Sequence, residues 1–196
     1  MSRALTLAEG VLHSDASWWP AHVSLPHILL ENIGKPLAGV EVGVAFGSMT
    51  IALCRAFGDL KMLAVDPFIT YDPDDAMSDL MEREGDDLEE LVRWRFALEQ
   101  RAVDRIDLQR VTSLAAAATV EPRSMDFVFL DADHRYEAVR DDIIAWTPAL
   151  RSGGLLCGHD FSPQWPGVER AVRELIVATG HDVHVHPSTI WFSVIP

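Results

Sequence analysis

Four short segments of this 196-residue chain gather residue types that could do chemistry. The densest is DFVFLDADHRYEAV, residues 126–139, where an apolar run delivers Asp131, Asp133 and His134 to one point. Three titratable groups within four residues, directly after a buried strand, are hard to explain by stability alone. Paired carboxylates raise each other's pKa, and a neighbouring histidine can act as a general base near neutral pH. The plainer reading makes Asp133 a helix N-cap. A second segment, GGLLCGHDF at 153–161, ends in His159-Asp160. Together with Asp131 this pair could hold a divalent cation. Histidine is an uncommon ligand for magnesium and suits manganese, iron or zinc better. A hydrogen-bonded His-Asp pair without metal is the other reading.

The third segment is VEVGVAFGSMT, Val40–Thr50, which reads as a strand, a glycine turn and a helix start. Gly43 and Gly47 let the backbone approach a ligand, and a helix N-terminus offers free N–H groups. The GxxxG spacing differs from the GxGxxG of nucleotide dehydrogenases, so a pyrophosphate cradle is disfavoured. A structural tight turn has the same signature. The fourth is Asp66, 23 residues after Gly43, at the end of the next strand. An acid there can accept hydrogen bonds from both ribose hydroxyls, or it can cap a turn. His181, His184 and His186 form a further cluster, with alternation placing His184 and His186 on one strand face. A polar outward face is the preferred reading there, over a metal site. Trp165, in the loop PQWPG, is the tryptophan best placed to touch a substrate.

The elements that must carry these residues alternate between strand and helix. Strands are expected at 38–42, 61–65, 106–111, 125–130 and 155–158, most of them largely apolar. Helices are expected at about 24–32, 48–57, 88–102, 114–119, 136–150 and 168–179. The first would be capped by Ser24 with Pro26 in its first turn, and the second stopped by Gly58. Two last strands, 183–186 and 190–195, are joined by a turn at Pro187-Ser188. Buried strands separated by helices imply a parallel sheet covered on both faces. The expected class is α/β: a doubly wound, mostly parallel, seven-stranded Rossmann-like sheet with one antiparallel strand. Ligands of such sheets bind beyond the carboxyl ends of the strands. That rule selects the segment Glu41-to-Gly47 and the residues Asp66, Ser113, Asp131-to-His134 and His159-Asp160.

Composition narrows the function further. The net charge is −14, and such a chain repels phosphate backbones, so nucleic acid and anionic membrane are excluded as expected partners. Residues 72–90 hold ten acids and one base, a net −9, read either as a solvated face or as a lid over a site. Two cysteines, Cys54 and Cys157, lie in apolar stretches and build neither a disulfide framework nor a metal knuckle. No signal peptide or membrane span is read, so a soluble cytoplasmic protein is expected, and a homo-oligomer is compatible with the composition.

In order and spacing, VEVGVAFGSMT, AVDPF, FVFLDADHRYEAVRDDI and LRSGGLLCGHDF followed by PGVERAV resemble the class I S-adenosylmethionine-dependent methyltransferases. The nearest resemblance is to the small-molecule O-methyltransferases that include macrocin-type sugar methyltransferases and cephalosporin hydroxylase-like proteins. It spans roughly residues 36–195. Residues 1–35 then form a lead-in and helix, and 36–196 a methyltransferase domain with an acidic insertion or lid at about 68–100. The resemblance implies a cofactor site made by Glu41, Gly43, Ala45, Gly47, Ser48, Asp66, Thr112, Ser113 and Asp131. The methionine moiety would lie on 41–47, the ribose on Asp66 and the adenine near Thr112-Ser113. Asp131, with the pair His159-Asp160, stands where metal-dependent members hold Mg²⁺ or another divalent cation. His159 replaces the usual first acid of that pair. Asp131, Asp133 and His134 are the catalytic candidates, with the base either Asp133 or His134.

The leading function is methyl transfer from S-adenosylmethionine to a hydroxyl of a small molecule. The donor brings an activated sulfonium, so the protein need only align the acceptor and remove its proton. Two alternatives are carried: S-adenosylmethionine binding without catalysis, and a nicotinamide-dependent oxidoreductase. The short-chain form of the latter needs Tyr with Lys four residues on. Tyr71 and Tyr136 are followed at that spacing by Asp75 and Arg140, which argues against it.

Overall fold

The structure, a computed structural model, describes residues 20–69, 88–99 and 101–196. The Trp18-Trp19 pair and most of the acidic segment, through residue 87, lie outside the described residues. Seven strands form one sheet: β1 Ala38–Val42, β2 Lys61–Val65, β3 Ile106–Gln109, β4 Met125–Leu130, β5 Leu150–Gly158, β6 His184–Val185 and β7 Trp191–Ile195. Their order is β3-β2-β1-β4-β5-β7-β6. β1 to β5 are mutually parallel, and β7 runs antiparallel to both neighbours. The strand order reverses between β1 and β4, which brings the ends of those strands together beneath a crevice.

Helices cover both faces. They are α1 Pro20–Ile33, α2 Ser48–Ala56, α3 over residues 88–98, α4 Ser113–Ala117, α5 Tyr136–Trp146 and α6 Pro166–Leu175. Alternation along β4 divides the core. Phe127 and Phe129 pack with Leu25 and Leu29 of α1 and Leu53 of α2 on one face. Val128 and Leu130 pack with Ile143 and Trp146 of α5 and Val168 and Val172 of α6 on the other. A third cluster joins Leu88, Leu91, Val92 and Phe96 of α3 to Val44, Ile51 and Ala64. Among the described residues no helix is long and apolar enough to cross a membrane.

Most departures from the expected elements occur at their ends. α1 begins at Pro20 rather than Ser24, and Pro26 sits inside it. Proline suits a first helical position, and burial of Ala21, Leu25, Ile28 and Leu29 outweighs the interior Pro26. The segment expected as one helix from 88 to 102 stops at residue 98, and a short 3-10 turn, Val103–Arg105, leads into β3. β5 starts five residues early, at Leu150, through an irregular register against β4.

One close approach fixes the crevice. Gly43, just past β1, has φ +89°, and a Cβ there would lie 2.0 Å from the carbonyl oxygen of Asp131. Its N–H donates to Val65 O at 2.9 Å, while Asp131 N–H donates to Val42 O at 2.8 Å. Gly58, by contrast, has nothing within 4 Å of a Cβ. Gly43→Ala should therefore cost about 3 kcal/mol or more, from left-handed strain plus overpacking, and Gly58→Ala less than about 0.5 kcal/mol. Denaturant unfolding of the two variants measures the difference; similar midpoints would contradict the packing described.

Candidate functional site

The turn after β1 is held from below. Asp66, at the end of β2, is buried, and its carboxylate accepts from Val44 N at 2.8 Å, Ala45 N at 3.0 Å and Phe68 N at 2.7 Å. Burial raises its pKa against those three hydrogen bonds. Of the two roles expected for Asp66, the turn-organising one is visible in these bonds. Ala45 adopts φ +46°, a left-handed conformation unusual for alanine, with its N–H fixed by Asp66. Gly47, φ +76°, is the N-cap of α2, and Phe96 and Val92 fill the space where its side chain would be. Arg95 of α3 is buried under the turn and donates to Phe46 O and to Ser48 Oγ, the latter at 3.2 Å. The serine hydroxyl thus faces α3.

Glu41, on β1, is fully buried beside this turn and accepts a hydrogen bond from Thr50 Oγ1 of α2. Burial pushes its pKa up to about 8; Thr50 opposes, and the nearby Asp131 and Asp66 add to the rise. The carboxyl is therefore protonated at neutral pH.

At the ends of β4 and β5, two carboxylates and two imidazoles converge. His134 Nε2 lies 3.0 Å from Asp160 Oδ2 and 3.8 Å from Asp131 Oδ1. His159 Nδ1 lies 3.3 Å from Asp160 Oδ1 and 3.7 Å from Asp131 Oδ1. Asp131, His134 and Asp160 each offer a ligand atom within 4.8 Å of the others, and among the described residues this is the group able to hold a metal ion. His134 Nε2 is buried and, although close to Asp160, makes no well-directed hydrogen bond. Carboxylate oxygens beside imidazole nitrogens are ordinary ligands of divalent ions, so the donor set fits such an ion. The three residues expected at a metal, Asp131, His159 and Asp160, thus lie together here, and His134 borders the same two aspartates.

Electrostatics at this point are strongly coupled. Burial disfavours charge on His134, but its contacts with Asp131 and Asp160 win and push its pKa up to about 10. The same balance raises His159, and both histidines hold the Asp160 carboxyl well below the usual range despite its burial. Asp160 has φ +60°, a left-handed backbone, and its carboxylate meets both imidazoles. The His134 ring lies against Trp165, with centroids 4.3 Å apart. A Cβ on Gly167 would lie 2.4 Å from His134 O, so α6 starts hard against the His134 backbone.

The other expected residues have contacts of their own. Asp133 accepts from Arg135 N at 2.9 Å and from Arg135 Nε at 3.0 Å. Arg135 holds its carboxyl below the ordinary range despite partial burial, which weakens it as a base. Thr112 is exposed and caps α4 by accepting from Ala115 N. Ser113, expected beside the adenine, donates its hydroxyl to buried Asp142 and accepts from Trp146 Nε1 at 2.9 Å, so it ties α4 to α5. His184 stacks on Phe192, and His186 Nδ1 bonds Ser188 in the terminal turn, so neither joins the carboxylates. Arg95 was missed by sequence reasoning, although a lone cation on the apolar stripe Leu88, Leu91, Val92, Phe96 was a visible signal.

A family model described as a methyltransferase domain matches residues 40–161, from β1 through the end of the carboxylate cluster. This chain belongs to the methyltransferase-domain family. No curated protein matches it in sequence. Solved structures share the fold at low identity. A Staphylococcus aureus protein provisionally assigned as a caffeoyl-CoA O-methyltransferase superposes with TM-score 0.70 at 14% identity, covering 100% of this chain and 93% of its own. A methyltransferase from Geobacter sulfurreducens gives 0.67 at 17%, covering 100% and 90%. CalS11, a TDP-rhamnose 3′-O-methyltransferase of calicheamicin biosynthesis, gives 0.62 at 15%, covering 91% and 80%. The chain is thus an S-adenosylmethionine-dependent methyltransferase.

Glu41 gives this methyltransferase a pH signature. The folded carboxyl keeps its proton up to about pH 8, whereas an unperturbed glutamate releases it near 4.5. The folded state then holds the extra proton between those values, so its contribution is full below 4.5 and lost as pH rises through 8. Glu41→Gln keeps a neutral partner for Thr50 and should remove that slope. The melting temperature of the parent protein should fall relative to the variant from pH 5 to 8. Parallel pH profiles would mean that Glu41 is ionised in the folded state.

Proposed function

We propose that this methyltransferase moves the methyl group of S-adenosylmethionine to a hydroxyl of a small molecule, with a divalent cation at Asp131 and Asp160. The observation that carries this reading is the convergence of Asp131, His134, His159 and Asp160 next to the glycine turn. Methyl transfer from a sulfonium needs an aligned nucleophile and a place for its proton. An unactivated hydroxyl is a poor nucleophile at neutral pH, so a site for oxygen acceptors needs a base or a cation, and this one offers groups for both. The likeness to O-methyltransferase structures agrees with the reading.

The turn formed by residues 43–47 would receive the methionine portion of the donor. Asp66 would keep that turn in shape and present its remaining lone pairs to the ribose once the turn opens toward the ligand. When bound, the cation would supply charge that lowers the acceptor hydroxyl's pKa. Asp131 and Asp160 would hold it and orient the acceptor oxygen. His134, pressed against Trp165, is the better base of the two candidates, since Arg135 occupies Asp133. As an imidazolium between two carboxylates it cannot accept a proton. It becomes a base where another positive charge neutralises Asp131 and Asp160.

Incubating the protein with methyl-labelled S-adenosylmethionine, a divalent cation and a panel of sugars, catechols, phenols and amines tests the function directly. Label should enter hydroxyl acceptors; transfer confined to amines would overturn the oxygen assignment. Asp131→Ala and Asp160→Ala should abolish turnover while the circular dichroism spectrum and calorimetric donor binding persist. His134→Ala should slow turnover by about 100-fold or more. An unimpaired His134 variant would remove it from the chemistry. For Asp66→Ala, loss of a buried charged acceptor should weaken donor binding by about 1–3 kcal/mol in calorimetry, and unchanged affinity would exclude it from the donor site.

A further inference from the structure

His159 stands where the resemblance leads one to expect a carboxylate, and its surroundings determine which of its nitrogens faces the site. Nε2 lies 3.0 Å from Ser188 O, in the turn between β6 and β7. A backbone carbonyl can only accept, so Nε2 carries a hydrogen and donates it. Thr189 Oγ1, 3.2 Å from the same nitrogen, adds a second polar contact on that side. With Nε2 committed, Nδ1 faces Asp160 Oδ1 at 3.3 Å and Asp131 Oδ1 at 3.7 Å. A nitrogen set between two carboxylate oxygens must carry either a proton or a metal ion. Metal-binding histidines are characteristically anchored in this manner, the distal N–H held by a backbone carbonyl that fixes tautomer and ring orientation.

The separations also suit shared coordination. Two ligands each about 2.1 Å from one ion lie about 3.0 Å apart at a right angle and about 3.4 Å apart at the tetrahedral angle. The distances from His159 Nδ1 to the two carboxylates are near that range, so small rotations would close the set. An imidazole nitrogen beside two carboxylates favours a borderline transition-metal ion, whereas magnesium selects oxygen donors and keeps much of its water.

We propose that His159 Nδ1 is a direct metal ligand beside Asp131 and Asp160, and that it makes this centre selective for a divalent transition metal such as Mn²⁺ or Co²⁺ over Mg²⁺. The inference rests on the cation site of the proposed function and adds the class of ion. The turn between β6 and β7 thereby becomes part of the centre, through the carbonyl that orients His159.

The test uses full-length protein stripped with a chelator and titrated separately with MnCl₂, CoCl₂ and MgCl₂ by calorimetry. Transition metals bind most protein sites more tightly than magnesium, so the decisive quantity is how the Co²⁺-to-Mg²⁺ affinity ratio changes in His159→Asp. That variant restores an all-oxygen set, and the ratio should fall by at least about tenfold. Pulsed electron paramagnetic resonance of the Mn²⁺ form should show a directly bound nitrogen in the parent protein and none in His159→Asp. An unchanged ratio overturns the proposal, as does a nitrogen signal that survives in His159→Asp and vanishes in His134→Ala. Absence of metal binding also overturns it. Calorimetric binding of S-adenosylmethionine to the same metal-free sample keeps that failure distinct from failure of the methyltransferase reading.

Discussion

The carbonyl oxygen of Asp131 occupies the place where any side chain on residue 43 would be. That contact joins the two halves of the sheet at their carboxyl ends. β1 and β4 can approach closely there because Gly43 has no side chain and accepts a positive φ. The approach brings the glycine turn, where the donor is expected to lie, next to the first acid of the carboxylate cluster. Asp66 fixes the turn from the β2 side, and Arg95 fixes it from α3. Neither group is part of the turn's own sequence, yet both determine its shape.

Charge organises the same region. Glu41, Asp66, Asp131 and Asp160 crowd one end of the sheet in a chain that is already strongly acidic. The fold manages this in three ways. Burial keeps Glu41 protonated, backbone N–H groups surround Asp66, and imidazoles balance Asp131 and Asp160. A cation-bearing donor and a divalent ion both suit such a place, and an anionic acceptor would meet resistance.

Much of this arrangement was legible in the residues. Strands buried on both faces read as near-continuous apolar runs, so β1, β2 and β4 could be bounded to the residue, and their ends named the site. Helix limits were harder, because packing decided them: α1 extends back to Pro20 to bury Ala21, and α3 ends once its apolar stripe is spent. Side-chain partners between distant elements left no local trace. Ser113 was selected by position alone, and nothing near it announced Asp142, 29 residues on. The anchoring of His159 by a turn 29 residues away was equally invisible, although the histidine itself was conspicuous.

The left-handed backbone at Asp160 narrows what evolution can place there. Asparagine tolerates that conformation but cannot supply the negative charge. Glutamate supplies the charge on a side chain one carbon longer and is less at ease with a positive φ. Glycine accepts the backbone and offers no ligand. Position 160 therefore has an alphabet of nearly one letter, set by backbone and chemistry together. If the proposed cation site is used, drift at this position would be an early sign that a descendant of the chain had given it up.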